Sequence, residues 1–327
     1  MKILFVCKHW NNFIETDYKL LSKHFEVEKF YYKNIFSIPF LLYQISKCDL
    51  IFVWFLSLHT FFSCFNRKIK IFVAGGYDVA KADDIRYGLY FNRITRWMVQ
   101  YCINKSNLIL TVSIFNTKEL RNNYNMDNCL YMLVNNCAND EFFKPICPKE
   151  NNMVITVGSI NPETWIRKGI KRFVDIAIAF NNLGFDYYNF VVIGKIHKDL
   201  IEVTNKIASK YTNIRFTDFI SNEKLREYYS KVKIYCQLSY YESFGISVLE
   251  SMLCNSIPVV TDKTALPEVI GGTGYKINEN KINDPYFMKK IFDLASRIDG
   301  YKSSIYVMNH YSKEKRENKL KKIIEQL

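Results

Sequence analysis

The chain has 327 residues, 49% of them hydrophobic and 24% charged, with a formal net charge of +13. That length holds two domains of ordinary size, and that composition excludes a disordered or low-complexity protein. Nine cysteines, an odd number with no C-x-x-C pair, argue against a disulfide framework and a zinc site and fit a reducing, cytoplasmic compartment.

In chain order, short apolar runs alternate with longer helical patterns. The N-terminal run in "MKILFVCKHW" is too short for a signal peptide and opens a first strand, Ile3–Cys7. Further strands are predicted at Leu50–Phe55, Lys70–Ala74, Leu108–Val112 and Leu130–Val134, with helices at Thr16–His24, Phe91–Lys105 and Thr117–Tyr124. "LIFVWFLSLHTFFSCF" (Leu50 to Phe65) falls short of the roughly 20 apolar residues of a spanning helix, so it reads as a buried strand followed by an amphipathic helix. The segment "FFKPICPKENN" (Phe142 to Asn152) reads as a linker.

The alternation then restarts. Strands are predicted at Met153–Val157, Phe190–Ile193, Ile214–Phe216, Ile234–Leu238 and Pro258–Thr261. Helices are predicted at Lys168–Leu183, Lys198–Tyr211, Asn222–Lys231 and Ile246–Cys254. Continuous apolar strands separated by helices are the mark of parallel sheets covered on both faces. The expectation is an α/β protein of two Rossmann-like domains whose sheets face a cleft. The first spans 1–147, with the C-terminal helix of about 312–327 packing back on it; the second spans 148–311.

In "YESFGISVLESM" (Tyr241 to Met252), Gly245 ends a short loop after a strand and precedes a helix. The first N–H groups of that helix, with the positive end of its dipole behind them, suit a phosphate, and glycine lets it approach the backbone. Glu250, one turn in, is placed to accept hydrogen bonds from vicinal ribose hydroxyls. Glu242, before the glycine, reaches the side where a transferred sugar would lie. Taken singly, each acid is an ordinary helix-surface residue; their joint spacing around Phe-Gly points to a nucleotide diphosphate sugar.

This stretch resembles the E-x7-E segment of the retaining GT-B glycosyltransferases of family 4, whose usual form is E-G-F-G-x-P-x-x-E-A-M. Ser243 stands for the glycine and Ser247 for the proline, while both acids, Phe244-Gly245 and Met252 are kept. "LILTVSIFNTKEL" (Leu108 to Leu120), "VNNCANDEFFKP" and "LPEVIGGTGY" (Leu266 to Tyr275) also resemble family segments, in the family's order, so the resemblance covers most of the chain. It implies the GT-B fold, an N-terminal acceptor-side domain and a C-terminal domain binding the donor. It further implies a group 1, hexosyltransferase-type enzyme of cell-surface polysaccharide or glycolipid synthesis.

In "VGSINPETWIRKGI" (Val157 to Ile170), Lys168-Gly169 matches the family's Lys-Gly, whose lysine contacts the donor diphosphate. The arginine that often follows Val-Gly is replaced by Ser159, and Arg167 is the candidate to supply that charge. Cations at the start of a helix are electrostatically unfavourable, which favours a functional role for the pair. The expected donor site is Arg167, Lys168, Ser243, Phe244, Gly245, Ile246 and Glu250, with Glu242 and Lys168 catalytic. Two fixed cations would neutralise the leaving diphosphate without a metal, and no cofactor is expected.

The first domain is less legible. "VAGGYDVAKADDIRYG" (Val73 to Gly88) lacks the histidine many family members carry near the end of this strand. Gly76, Asp78 and His9 are the candidates for acceptor or sugar contacts, and Trp54, Tyr87 and Tyr90 are aromatic groups for stacking, with core packing the preferred reading of Trp54. The expected partners are a nucleotide sugar and a saccharide or lipid-linked acceptor, with no nucleic acid. An anionic membrane surface would explain the basic charge, as would a plain solvated basic surface. Alternatives are a sugar-nucleotide-binding subunit without activity, or an epimerase or phosphorylase on the same fold. A nicotinamide oxidoreductase is disfavoured because no G-x-G-x-x-G follows a first strand.

Overall fold

The computed structural model describes residues 1–327, Asn151 by its backbone alone. The chain divides into two compact units: Met1–Cys137 with Lys313–Leu327, and Ala138–Ser312.

Unit 1 runs β1 (Lys2–Cys7), α1 (Asn12–Ser22), β2 (Glu26–Tyr31), α2 (Ile38–Ser46), β3 (Leu50–Trp54), α3 (Leu58–Phe62), β4 (Ile69–Ala74), α4 (Arg93–Lys105), β5 (Leu108–Thr111), α5 (Ile114–Asn123) and β6 (Tyr131–Leu133). All pairings are parallel, in the order β2-β1-β3-β4-β5-β6. The stretch after Leu50 is the expected strand and helix, β3 and α3. The strand β2, "EVEKFY", was not expected: it lies at the sheet edge and carries two glutamates, so it lacks the apolar run of a central strand.

Unit 2 runs β7 (Glu150–Val157), α6 (Pro162–Arg167), α7 (Ile170–Asn182), β8 (Asn189–Ile193), α8 (Ile201–Lys210), β9 (Ile214–Thr217), α9 (Asn222–Lys231), β10 (Val232–Gln237), α10 (Ile246–Leu253), β11 (Ile257–Thr261), α11 (Leu266–Ile270), β12 (Tyr275–Ile277), α12 (Glu279–Ile282), α13 (Pro285–Ser296) and α14 (Tyr301–Tyr311). Its parallel sheet has the order β12-β11-β10-β7-β8-β9. The last helix, α15 (Lys313–Glu325), belongs to unit 1.

The segment before β7 is already part of unit 2. Phe143 packs edge-on against Tyr229, and the N–H of Ile146 donates to Ser230 Oγ at 3.2 Å. The buried ammonium of Lys149 donates to the carbonyls of Tyr229, Val232 and Cys254 at 2.9, 2.7 and 2.6 Å. Burial pushes this amine down to about 7, and the carbonyl cage offsets part of that cost.

Each unit has its own apolar core. In unit 1 the strands present Leu4, Val6, Ile51, Val53 and Phe72 to residues such as Leu41, Val99 and Ile103 of the helices. In unit 2 Phe173, Phe180, Phe190 and Phe292 form one aromatic cluster. No helix among the described residues is long and apolar enough to cross a membrane.

One buried ion pair fastens α15. Arg316 is 3% exposed and Asp17 of α1 is fully buried. The guanidinium engages both carboxylate oxygens, Nη2 at 2.7 Å from Oδ2, and donates from Nη1 to the carbonyls of Val134 and Asn135. Trp54 Nε1 also donates to Asp17, at 3.0 Å.

Candidate active site

The strand order of unit 2 reverses at β7. From there the chain moves outward through β8 and β9, then returns to lay β10 on the other side of β7. In open parallel sheets the crevice at such a reversal, beyond the carboxyl ends of the strands, is where ligands bind. The expected donor residues of unit 2 come off elements flanking this point.

After β7, Gly158 leads to Asn161, whose side chain caps α6 by accepting from Thr164 N at 2.9 Å. The helix stops at Arg167, with Lys168 as its C-cap, and Gly169 stands in the left-handed region (φ 68°). This corrects the expected single helix from Lys168. Arg167 and Lys168 end one helix rather than begin another, and a cation at a helix C-terminus is favourable. The electrostatic argument for a functional pair therefore lapses. Arg167 is ion-paired with Glu163 one turn back, and its carbonyl accepts from Tyr240 N at 2.8 Å.

Lys168 is different. Its stem lies across Gly158, where a β-carbon would fall 2.8 Å from the lysine Cδ. Its ammonium sits 3.9 Å from Glu242 Oε2, both side chains being partly exposed. Gly169 permits this placement: a β-carbon there would lie 1.9 Å from the carbonyl oxygen of Leu238. Gly169→Ala should cost at least about 1–2 kcal/mol from the left-handed backbone alone, with the clash added. Urea denaturation checks this, and an unchanged midpoint would contradict it.

On β10, Tyr235 and Gln237 share one face, as period-two alternation requires, and Ser239 follows in the same phase. Tyr235 Oη donates to Gln237 Oε1 at 3.0 Å. Gln237 Nε2 in turn donates to Glu242 Oε2 at 3.0 Å and to Ser239 Oγ at 3.2 Å. This buried amide holds Glu242 towards Lys168. Gln237 escaped the sequence analysis because a lone glutamine in an apolar strand carries no motif.

Gly245 caps α10 with φ 106°. Ser243 lies in the loop, Phe244 is buried edge-on against Tyr311, and Ile246 opens the helix. Glu250, one turn on, is half-buried and accepts from Tyr229 Oη at 3.3 Å. Desolvation raises its carboxyl to about 7, against the opposing pull of the Tyr229 bond and the Lys168 charge. Gly245 carries Glu242 on one side and Glu250 on the other, as the sequence spacing required.

The unit 1 candidates are distributed otherwise. His9 is exposed just after β1, and Gly76 is buried just after β4. Asp78, offered as an acceptor contact, faces inward at 1% exposure. Its oxygens accept from the N–H groups of Leu56, Gly75 and Gly76 at 2.9, 3.3 and 2.8 Å, tying the ends of β3 and β4 together. Its carboxyl, raised to about 6 by burial, does not face solvent. Trp54 is fully buried in the core, Tyr87 packs against Tyr77, and Tyr90 packs against Tyr124.

Residues 138–285 match the family model described as "Glycosyl transferases group 1". Most of unit 2 is therefore similar to the group 1 glycosyl transferases. The serotype-specific mannosyltransferase WbdA of Escherichia coli is 30% identical over 138 residues, 41% of this chain but 16% of the relative. The chain therefore spans under a fifth of the length of that curated protein. Among solved structures, sucrose-phosphate synthase from Thermosynechococcus elongatus superposes with a TM-score of 0.80 at 14% identity, covering 100% of this chain and 98% of that one. Anabaena HepE, solved in complex with UDP and glucose, gives 0.75 at 12% identity with both chains fully covered. These likenesses establish the fold, which is GT-B.

The Glu250 environment makes a pH prediction for unit 2. Above 7 the ionised carboxyl of Glu250 can accept from two vicinal hydroxyls, whereas protonation turns one of its oxygens into a donor and weakens the other as an acceptor. Nucleoside diphosphate affinity should therefore rise through pH 7 and fall below it, by up to about tenfold per unit. Glu250→Gln should bind more weakly at pH 8 and flatten that dependence. Titration calorimetry at several pH values checks it, and equal slopes for both proteins would refute the assignment.

Proposed function

We propose that the protein is a retaining glycosyltransferase that moves a sugar from a nucleotide diphosphate sugar to a saccharide or lipid-linked acceptor, in cell-surface glycan synthesis. The observation that carries this is the meeting of Lys168 and Glu242, 3.9 Å apart, on loops beside the α10 N-terminus at the strand reversal of unit 2. The bond between the anomeric carbon and the leaving phosphate oxygen breaks through an oxocarbenium-like state. Its electron pair stays on the diphosphate, stabilised by Lys168 and by the first amides of α10 around Gly245. Glu242 positions the donor sugar and Glu250 the ribose. The acceptor hydroxyl oxygen forms the new bond to the anomeric carbon on the face the diphosphate leaves, and its proton passes to the departing phosphate oxygen.

Lys168 and the helix N-terminus supply the positive potential that a divalent ion supplies elsewhere, so activity without added metal or cofactor is part of the proposal. The mannosyltransferase relative makes a mannosyl donor the first to try. A thermal-shift and donor-hydrolysis screen against UDP-, GDP-, ADP- and dTDP-sugars, with and without chelator, tests the whole. NMR of the anomeric proton of the product decides retention. One observation favours a second reading, a binding subunit without turnover: Asp78 is taken up by the backbone, leaving the turn after β4 without a free acidic group there. Binding of a nucleotide sugar with neither hydrolysis nor transfer would select it.

A further inference from the structure

Apart from the donor residues, the most unusual surface of the molecule belongs to unit 1. Residues 29–118 hold twelve lysines and arginines against four acids, Asp49, Asp78, Asp83 and Asp84. None of the four lies in α2, α3 or α4. Asp78 is buried, Asp49 accepts from Lys2 N at 2.7 Å, and Asp83 lies 3.9 Å from Lys81. The three helices are neighbours in space, α2 against α3 and α3 against α4.

Two stripes run along the outer side of this layer. On α4, Ile94, Trp97, Tyr101 and Lys105 follow at three- and four-residue steps, opposite the buried Val99, Cys102 and Ile103. On α2 and the turn before it, Phe36, Phe40, Tyr43 and Lys47 repeat the same spacing, opposite the buried Leu41 and Ile45. Phe36 is 85% exposed, Ile94 70% and Trp97 58%. Between the stripes, Phe61 of α3 packs on Trp97 and Tyr101, and exposed Phe65 stacks on Tyr101. Each stripe ends in a lysine whose ammonium lies over a tyrosine ring, 4.0 Å for Lys47 on Tyr43 and 5.8 Å for Lys105 on Tyr101.

Large rings in water cost free energy unless something covers them. What covers these must tolerate the cations that border the face, Lys47, Arg93, Arg96 and Lys105. A second copy of the same face would set those cations against each other, whereas an anionic bilayer offers both an apolar boundary and negative headgroups. Aromatic rings flanked by lysine stems that reach back to the headgroup level are what that boundary selects. We propose that the α2–α3–α4 face of unit 1 docks on an anionic lipid surface, with Phe36, Phe40, Trp97 and Ile94 entering the headgroup boundary. This does not rest on the transferase reading.

The test is flotation of the full chain with vesicles of phosphatidylcholine alone or with added phosphatidylglycerol. Co-flotation only with the anionic vesicles, reversed by salt, is the expected result. Arg93→Gln with Arg96→Gln should weaken it about 25-fold, at about fivefold per cation. Phe40→Ser with Trp97→Ser should abolish it while lowering the urea midpoint only modestly and leaving the protein folded, since both side chains are more than half exposed. No co-flotation of the wild type, or undiminished co-flotation of the serine variant, would overturn the proposal. So would a concentration-dependent dimer that the serine variant abolishes, because it would assign the face to a second copy.

Discussion

Arg316→Ala is expected to destabilise unit 1 by about 3–5 kcal/mol, the range for breaking a buried ion pair from one side. The cost comes from what is left behind. Asp17 keeps a buried carboxylate with only Trp54 Nε1 still donating to it among the side chains described above, and the carbonyls of Val134 and Asn135 lose a shared donor. Arg316→Lys should recover little, because an ammonium cannot span both carboxylate oxygens and two carbonyls as the planar guanidinium does. Arg316→Met with Asp17→Leu should be far milder than either single change, since no charge is then stranded. Urea denaturation of the four proteins measures this. A loss below about 1 kcal/mol for Arg316→Ala, the level of an exposed pair, would show that water replaces the arginine.

Lys168→Ala is expected to lower turnover by about 10²–10³-fold, the usual consequence of removing one fixed group that stabilises charge in a transition state. Its effect on donor affinity should be smaller, because negative charge on the bridging oxygen grows as the glycosidic bond breaks. Lys168→Arg should rescue only in part. The lysine stem lies against Gly158 with no room for a side chain between them, and a broader head group must find another path. Steady-state kinetics against the donor identified by screening measure the split between turnover and KM. Turnover near wild type in Lys168→Ala would remove this residue from the mechanism and Glu242 with it.

The central strands were readable because each holds a short, mostly apolar run that is buried almost throughout, as in β1, β3 and β11. The spacing of Glu242, Gly245 and Glu250 was readable because a strand, a turn and a helix fix it locally. What escaped was set by contacts distant in sequence. Glycine stands at 169 because the backbone there is left-handed and the carbonyl of Leu238, far along the chain, occupies the space a side chain would need. Asp78 looked like a polar loop residue on offer, yet two strand ends converge to supply its three donors. Arg316 sat unnoticed within the basic tail from Lys313 to Lys322, where most neighbours are charged surface residues. Only the partner on α1 distinguishes it.

Unit 1 is assembled from two stretches of chain that flank unit 2 in the sequence. During synthesis its amino-terminal portion leaves the ribosome long before the helix that neutralises Asp17. For that interval the emerging fragment harbours an acid it has no means to bury comfortably, whereas unit 2 is contiguous and complete when its own last residue appears. The order of maturation is thus inverted relative to the order of translation: unit 1, begun before unit 2, is finished after it.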